Sequence, residues 1–388
     1  MSLSRTQTDS LLRRGFSRRD LGRVASLLTA GAALPFYNEF AMAQDAQQRI
    51  GRGGARRAMD PDAVRINQNE NPLGPCKEGL EAIAKVAPFG GRYSPFGEQG
   101  DMVTAIAETE GVKENYVAAY AGSSDPLHRT SCAFTSPTRS WVMADPGYGG
   151  GAPAFIGSKV TRVPLRPDHT HDVEAMIKAD PDGGVFYVCN PNNPSGTVTP
   201  RKDIEYLLAN KKKDSVVLID EAYIHFADTA KSASDLVAAD KDVIVLRTFS
   251  KVYGMAGIRA GFALGRPDLL AKIRPYGVGF APVPTTSMAC ATASLKAKGL
   301  VAERKAINKS VRENTLAFLE KKGVKVVPSE TNFFMMEVGK TGPFTQAMAA
   351  QKVIIGRVWN AWPTMVRVTV GTQEEMDKFK AAFEKATA

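Results

Sequence analysis

Three short apolar segments, each followed at once by polar side chains, constrain the fold of this chain more than any other feature. The segments are residues 185–189, 215–219 and 243–247. Asn193, Asp220 and Lys251 follow them, separated from one another by 27 and 31 residues. Such separations are typical of parallel strands that alternate with crossover helices, whose carboxyl ends meet at one edge of a sheet. The sequence therefore predicts an α/β fold in which these three side chains lie close together.

Lys251 is unusual because it follows a buried strand, in a turn that also carries hydroxyl and aromatic side chains. Phe249 and Tyr253 flank it, and Arg259 comes eight residues later. Burial and a neighbouring cation both lower the pKa of an ammonium group, and a neutral lysine is a nucleophile for aldehydes. A solvated surface lysine is the alternative. We interpret Lys251 as a candidate for Schiff-base formation.

The residues around Lys251 also form a motif. Ser250 and Lys251 are followed by Gly254, Gly257, Arg259 and Gly261, which is an SK pair and then GxxGxRxG. This segment resembles the cofactor-lysine segment of fold-type I pyridoxal-phosphate (PLP) enzymes. Over residues 64–372 the chain is most similar to the histidinol-phosphate aminotransferase family. The resemblance implies an α/β architecture, the PLP-transferase fold type I. This fold has a large domain with a mostly parallel sheet sandwiched by helices, and a smaller α+β domain.

The resemblance and the local patterns together predict the domain boundaries. Residues 91–276 form the large PLP-binding domain, and residues 61–90 and 277–388 form the small domain. Strands at 324–328, 332–337 and 366–370, around a helix near 344–351, predict the α+β character of the carboxy-terminal part.

A second motif follows the apolar segment that ends at Cys189. Residues 190–197 read NPNNPSGT, a rigid turn that resembles the family motif NPxNPTG. The resemblance implies that Asn193 and Tyr223 bind the phenolate oxygen of the cofactor. It also implies that Asp220 faces the pyridine nitrogen and keeps it protonated, so that the ring can accept electrons. Tyr148 either stacks on the pyridine ring, as the family's aromatic residue does, or caps the core.

A phosphate site is predicted at residues 121–125, where a strand passes into a helix. Exposed amides and the helix dipole favour an anion at such a junction, although Ser123 and Ser124 also suit an ordinary N-cap. The resemblance adds Thr248, Ser250 and Arg259 to these two serines as residues that hold the cofactor phosphate.

Tyr93, in the segment GRYSPFGEQG, occupies the place of the family tyrosine that reaches the cofactor phosphate of a neighbouring subunit. Loop packing is the alternative. The resemblance therefore implies a homodimer with shared active sites.

Two further segments are candidates for binding substrate. Arg367 lies within the apolar stretch MVRVTVGT, and a buried arginine is costly unless it meets an anion. The resemblance assigns it to the substrate α-carboxylate, whereas an edge-strand arginine facing water is the alternative. Asn69, Glu70 and Asn71 belong to NQNENPLGP, which is an ordinary turn by composition but lies over the active-site mouth in the family.

The sequence thus predicts a PLP-dependent aminotransferase that moves an amino group from an amino acid or related amine to a 2-oxo acid. Lys251 would form the Schiff base with the cofactor and then transfer protons as a free amine, with Asp220 and Tyr223 as the other catalytic residues. A PLP-dependent decarboxylase or lyase acting on a modified or phosphorylated amino acid is the alternative. A second alternative, from another functional class, is a non-catalytic PLP-binding module.

The amino-terminal residues predict export. Arg18 and Arg19 precede an apolar run over residues 24–36, which is too short to span a bilayer, and AMA at 41–43 fits a signal-peptidase site. The pattern resembles a twin-arginine (Tat) signal cleaved after Ala43, which implies the Tat machinery as a partner and a periplasmic enzyme. A disordered basic leader and an uncleaved anchor are the alternatives. Residues 44–60 are predicted to be a flexible linker.

Charge and composition add few constraints. The chain has 388 residues, of which 44% are hydrophobic and 23% charged, as in an ordinary globular protein. Of its formal charge of +10, part belongs to the first 43 residues, which hold six arginines against three acidic residues. Without a recognisable DNA-binding motif, no nucleic-acid partner is expected. The four cysteines are widely spaced and are predicted to be buried free thiols, and no metal site is expected.

Overall fold

The structure is a computed structural model that describes residues 3–33, 62–277 and 283–387. Its strands are β1 (Val64–Arg65), β2 (Val117–Tyr120), β3 (Trp141–Asp145), β4 (Val160–Pro164), β5 (Val185–Cys189), β6 (Val216–Asp220), β7 (Val243–Thr248), β8 (Gly261–Gly265), β9 (Phe333–Glu337), β10 (Val353–Ile354) and β11 (Met365–Thr369). Its α-helices are α1 (Arg5–Arg13), α2 (Arg18–Ala33), α3 (Lys77–Val86), α4 (Glu98–Glu110), α5 (Ser124–Phe134), α6 (Gly151–Phe155), α7 (Val173–Ala179), α8 (Arg201–Asn210), α9 (Ser234–Ala238), α10 (Pro267–Ile273), α11 (Thr285–Lys296), α12 (Leu300–Lys321), α13 (Thr341–Ala350) and α14 (Gln373–Thr387).

The central sheet has seven strands in the order β2-β8-β7-β6-β5-β3-β4. The five strands from β4 to β7 are parallel, and β8 runs antiparallel to both of its neighbours. The predicted α/β class with a mostly parallel sheet is therefore confirmed. Sequence patterns did not predict β8, whose two glycines and central alanine give little β-strand signal.

The register of the parallel strands aligns their carboxyl ends. Cys189 lies opposite Asp220, and Asp220 lies opposite Leu246 on the next strand. Every residue of β5, β6 and β7 is buried, which explains why these strands are continuous apolar runs rather than alternating ones. The turns that follow them, carrying Asn193 and Lys251, consequently open at the same edge of the sheet.

Two hydrophobic cores support this arrangement. The larger one surrounds the seven-stranded sheet and includes buried side chains of α11, which packs against both α3 and α4. The smaller one surrounds the antiparallel pair β9–β11 together with α12, α13 and α14. In the predicted strand at 324–328 only a single bridge forms, between Val326 and Met336. The domain ranges 91–276, 61–90 and 277–388 stay predictions. All four cysteines are buried.

The amino-terminal residues form two helices that pack on the large core. Ser4 caps α1 in a capping box with Gln7. Leu11 and Val24 are completely buried in the large core, and Arg14 donates to the hydroxyl of Tyr276 at 3.0 Å. Arg18 and Arg19 at the start of α2 are exposed.

Residues 34–61 contain the predicted cleavage site after Ala43 and the predicted linker 44–60, and both lie outside the described residues. Within the part of the chain that the structure describes, no helix combines the length and the apolar character needed to cross a membrane.

Candidate active site

Lys251 lies in the turn that follows β7, half-buried at the carboxyl edge of the sheet. Its Nζ donates a hydrogen bond to the carbonyl oxygen of Asn69 at 2.9 Å and lies 5.6 Å from the centre of the Tyr223 ring. Burial, followed by the charge of Arg367, lowers the pKa of this amine to about 7. A large fraction of Lys251 is therefore neutral, and hence nucleophilic, near neutral pH.

Asp220 is the last residue of β6 and is 3% exposed. Its carboxylate accepts hydrogen bonds from the hydroxyl of Tyr187 at 3.0 Å and from the backbone amide of Ala222 at 3.1 Å. Burial raises the pKa of Asp220 to about 6, although the bond from Tyr187 acts in the opposite direction. A buried carboxylate of this kind is stabilised by a cationic partner, which a protonated ring nitrogen would provide.

Tyr187 was missed by sequence reasoning, although β5 contained a signal for it. Its hydroxyl is the only polar side-chain group in β5 apart from the thiol of Cys189, and a buried tyrosine needs a hydrogen-bond partner. Its ring stacks on Trp141 with centroids 5.2 Å apart, which fixes the direction of the hydroxyl toward Asp220.

Two side-chain amides converge on the hydroxyl of Tyr223. Nδ2 of Asn69 lies 3.0 Å from it and Nδ2 of Asn193 lies 3.4 Å from it. Burial raises the pKa of Tyr223 well above its ordinary value, so the hydroxyl keeps its proton. The predicted partners Asn193 and Tyr223 thus lie together. Asn69 links this pair to the lysine, because its side chain contacts Tyr223 and its carbonyl oxygen accepts from Lys251.

Arg367 of β11 is 2% exposed and enters the site from the smaller core. Its Nη1 donates to Oδ1 of Asn193 and its Nη2 to the carbonyl of Asn67, both at 2.9 Å. Within the described residues, its Nε has no hydrogen-bond partner. Burial, followed by the charge of Arg357, lowers the pKa of Arg367 to about 9. A buried guanidinium with an unused donor is a binding site for a carboxylate.

The predicted anion cradle is formed by the start of α5 and the turn after β7. Gly122 has a φ of +101°, and a Cβ there would overlap Nη2 of Arg259. Nη1 of Arg259 donates to Oγ of Ser250 at 3.2 Å, and Oγ of Ser250 accepts from Oγ1 of Thr248 at 2.9 Å. Ser123 and Ser124 stand at the amino terminus of α5, where the helix dipole favours negative charge.

Arg259 makes its other hydrogen bonds with the carbonyl oxygens of Ala256 and Ala121, and in the described part of the chain it has no salt bridge to a carboxylate. Burial lowers its pKa. The cradle therefore presents a cation that protein anions leave uncompensated, as a phosphate site requires.

Glu70 and Asn71 lie beside Lys251, and both make hydrogen bonds to other parts of the protein, Glu70 through its backbone carbonyl and Asn71 through its side chain. Asn332, which sequence reasoning missed, donates through Nδ2 to the carbonyl oxygens of Asn69 and Glu70, at 3.2 Å each. Nδ2 of Asn71 donates to the carbonyl of Val252 at 3.0 Å. These bonds hold the 69–71 segment against the lysine turn. A cavity of about 500 Å³ opens next to it and is lined in part by Glu70, Asn71, Gly254, Gly257 and Thr369.

The two predicted tyrosine contacts differ in position. Tyr148 follows β3 and is half-buried, and its phenol lies within electrostatic range of both Arg259 and Arg367. Tyr93 is 78% exposed. Its predicted role requires a second subunit and stays a prediction.

A buried charge network behind Asp220 was also missed by sequence reasoning. Arg247 of β7 donates through Nε to Glu221 at 2.8 Å and through Nη2 to Glu110 at 3.1 Å, and its Nη1 lies 3.2 Å from Nε2 of His225. Arg247 and Glu221 are 3% and 1% exposed. The argument used for Arg367, that a charge inside an apolar strand needs a partner, applied equally to Arg247. Because Glu221 lies between Asp220 and Tyr223 in the chain, the network holds this segment in place.

These residues fit PLP by their chemistry. Lys251 is an amine of lowered pKa for the aldehyde, Asp220 is a buried carboxylate for the ring nitrogen, and the uncompensated Arg259 is a cation for the phosphate. A separate buried cation, Arg367, remains for a substrate carboxylate.

Comparisons with known proteins agree with this arrangement. Residues 61–383 match the family described as aminotransferase class I and II. The chain is 32% identical over 334 residues to histidinol-phosphate aminotransferase 1 of Dechloromonas aromatica, covering 83% of this chain and 90% of that one. It is 33% identical over 332 residues to the aromatic amino acid aminotransferase of Cutibacterium acnes, covering 84% and 93%.

Solved structures are similar as well. The histidinol-phosphate aminotransferase from Sinorhizobium meliloti in complex with pyridoxal-5'-phosphate has a TM-score of 0.76 and 25% sequence identity, over 91% of this chain and 95% of that one.

Proposed function

The chain belongs to the class I and II aminotransferase family and is a PLP-dependent aminotransferase, and from this premise we propose the roles of its residues. When bound, PLP supplies an aldehyde for amines and an electron sink for the bonds to Cα. We assign Lys251 to the aldehyde. The observation that carries this assignment is the position of Nζ at the carboxyl edge of the sheet, 2.9 Å from the carbonyl of Asn69 and 5.6 Å from the centre of the Tyr223 ring. Burial there lowers the pKa of the amine to about 7.

Lys251 has two tasks in this proposal. Because its amine is largely neutral at neutral pH, Lys251 would hold the cofactor aldehyde without first losing a proton to solvent. As a free amine, the same Nζ would hold and move the proton of the substrate Cα as a general base and acid. The carbonyl of Asn69, at 2.9 Å, orients the free amine between these steps.

Asp220 and Tyr223 would hold two different polar atoms of the cofactor ring. Asp220 would keep the ring nitrogen protonated, and Tyr187 holds the carboxylate of Asp220 in place at 3.0 Å. Tyr223 keeps its own proton because of burial and would donate to the ring oxygen together with Asn193. Tyr148 would hold the ring by stacking.

The phosphate anchors the cofactor in the cradle of Ser123, Ser124, Thr248, Ser250 and Arg259. Arg367 binds the substrate α-carboxylate through the donor that the protein leaves unused. Glu70 and Asn71 line the cavity beside Lys251 and would contact substrate there, whereas Asn69, which is 1% exposed, would act through Lys251 and Tyr223. The names of the relatives suggest histidinol phosphate and aromatic amino acids as donors to test, with a 2-oxo acid as acceptor.

Borohydride reduction tests the role of Lys251. Mass spectrometry of the reduced holoenzyme should find one pyridoxyl adduct, on Lys251, and the Lys251→Ala variant should carry none. An adduct on another lysine would refute the assignment.

The reaction itself is tested with a panel of amino donors and 2-oxoglutarate. Formation of glutamate that depends on the acceptor supports transamination. Release of carbon dioxide without an acceptor would instead identify the decarboxylase or lyase alternative.

We further propose a homodimer in which Tyr93 reaches the partner's cofactor phosphate. Exposed aromatic side chains near Tyr93 support this proposal: Phe96 and Phe89 are 61% and 48% exposed and contact each other edge to face at 4.8 Å. Light scattering should give twice the chain mass, and Phe96→Glu should give a monomer. An unchanged mass for that variant would contradict this interface.

Finally, we propose that the amino-terminal segment directs Tat export to the periplasm, with cleavage after Ala43. Exposure of Arg18 and Arg19 supports this proposal, because a translocase must reach both. Fractionation should find the enzyme in the periplasm with Gln44 at its amino terminus, and Arg18→Lys with Arg19→Lys should leave the precursor in the cytoplasm. A cytoplasmic wild-type protein that keeps residues 1–43 would exclude export.

A further inference from the structure

The segment between β10 and β11 folds back on itself over the active site. Trp359 and Trp362 form an antiparallel bridge at its tip. Its base is held by two backbone bonds, from Gly356 N–H to the carbonyl of Arg367 at 3.2 Å and from Arg367 N–H to the carbonyl of Arg357 at 3.0 Å. The position of this segment, which we call the tryptophan loop (residues 356–364), is therefore set by the residue that binds the substrate carboxylate.

Trp359 bridges two parts of the site. Its ring centre lies 5.4 Å from the guanidinium carbon of Arg367, in the range of a cation–π contact. Its Nε1 donates to the carbonyl of Gly147 at 3.3 Å, next to Tyr148. The indole thus extends from the cation for the substrate carboxylate to the loop that carries the aromatic residue for the cofactor ring. A ligand whose carboxylate is bound by Arg367 therefore lies within reach of the indole.

Two other aromatic rings, Phe333 near Arg367 and Trp362 in the tryptophan loop, have different environments. Phe333 also lies 5.4 Å from the guanidinium carbon, but it is fully buried in the large core and presents no free face. Trp362 packs edge to face on His169, with centroids 5.1 Å apart. Of these three rings, Trp359 alone combines contact with Arg367 and partial exposure.

We propose that Trp359 determines donor specificity by stacking on a planar side chain of an α-amino acid whose carboxylate is bound by Arg367. Aromatic pairs prefer offset or edge-on geometries and gain free energy beyond that of burial. A small or acidic side chain gains nothing from the indole. The proposal rests on the aminotransferase function and deepens it by naming the donor class.

Kinetics of the holoenzyme with matched variants test the proposal. In Trp359→Ala, kcat/KM for L-phenylalanine should fall by about tenfold or more relative to that for L-alanine, the size expected for a lost aromatic pair and its buried area. Trp359→Phe should recover most of the loss. Trp362→Ala, a loss of the neighbouring tryptophan, should leave the ratio between the two donors unchanged.

An equal loss of activity with both donors in Trp359→Ala would overturn the proposal, because the indole would then only support Arg367 or the loop. Histidinol phosphate carries a planar imidazole but a phosphate ester in place of the carboxylate. If Trp359→Ala affects this donor and spares L-phenylalanine, the assignment to α-amino acids is wrong.

A binding experiment separates this proposal from the proposed function. By calorimetry, wild-type holoenzyme should bind 3-phenylpropanoate more tightly than propanoate, and Trp359→Ala should abolish that difference. Such binding would support the role of Trp359 even if no donor were turned over. A lack of turnover would count only against the aminotransferase function. Equal binding of both acids by the wild type would overturn the role of Trp359.

Discussion

Nη1 of Arg367 donates to Oδ1 of Asn193 at 2.9 Å, and this bond joins the two cores at the active site. Arg367 belongs to β11 of the smaller core, whereas Asn193 lies in the turn after β5 of the large sheet. The same Asn193 donates toward Tyr223. Binding of an anion at Arg367 is therefore coupled to the groups that surround Lys251.

The charge of Arg367 should control the reactivity of Lys251. Burial and Arg367 lower the lysine pKa to about 7, so the rate at which cofactor-free protein captures PLP should rise with pH through about 7 and then level off. Because a cation disfavours the charged amine, Arg367→Gln should raise the lysine pKa and move this midpoint to higher pH. Stopped-flow absorbance measures the rate. Arg65→Gln removes an exposed cation from β1 and serves as the control; an equal shift in both variants would contradict the predicted coupling.

Gly122→Ala should weaken PLP binding by about tenfold or more, because the new Cβ displaces the guanidinium of Arg259, and a hydrogen bond to a charged group is worth about 1.5–3 kcal/mol. Gly122 has a φ of +101°, and its Cβ would overlap Nη2 of Arg259. Titration of the cofactor-free protein measures the affinity. Gly111→Ala is the matched control, because Gly111 also has a positive φ, +66°, but no atom within 4 Å of its Cβ. Both variants lose stability, whereas only Gly122→Ala should lose affinity.

Removing the cation of the buried charge network should be far more costly than removing a surface cation. Arg247→Met leaves the carboxylates of Glu221 and Glu110 buried without their partner, which costs about 3–5 kcal/mol in the free energy of unfolding. Arg266→Met breaks partly exposed bridges and should cost about 0–1 kcal/mol. Urea denaturation of both variants gives the two values. Similar losses would mean that solvent reaches the Arg247 network.

Helix α1 should be held by its buried leucine. Leu11→Asp places a charge where the side chain is completely buried, so α1 should detach and trypsin should cut after Arg13 and Arg14 faster than in the wild type. Leu12→Asp is the control, because Leu12 is 39% exposed. The full-length chain, residues 1–388, is the material for this test. Identical digestion of the two variants would show that α1 is not held by Leu11.

Sequence patterns predicted the part of the site that local chemistry encodes. Asn193, Asp220 and Lys251 each follow an apolar strand, and strand ends of a parallel sheet meet at one edge whatever the details of packing. The same patterns failed for Tyr187 and Arg247, which lie inside strands. Their importance depends on which residue faces them from another element, and Arg247 finds Glu110 137 residues away.

The sequence by itself thus determined the mostly parallel sheet, the position of the reactive lysine and the aspartate that shares its edge, because strand periodicity and turn composition are local properties. Only the tertiary structure decided that Arg367 reaches Asn193, that Asn332 and Asn69 hold the lysine turn, and that Trp359 lies over the carboxylate site. The hydrogen bonds among these residues join segments up to 263 residues apart. Packing of the two cores, rather than any local preference, brings the bonded groups together.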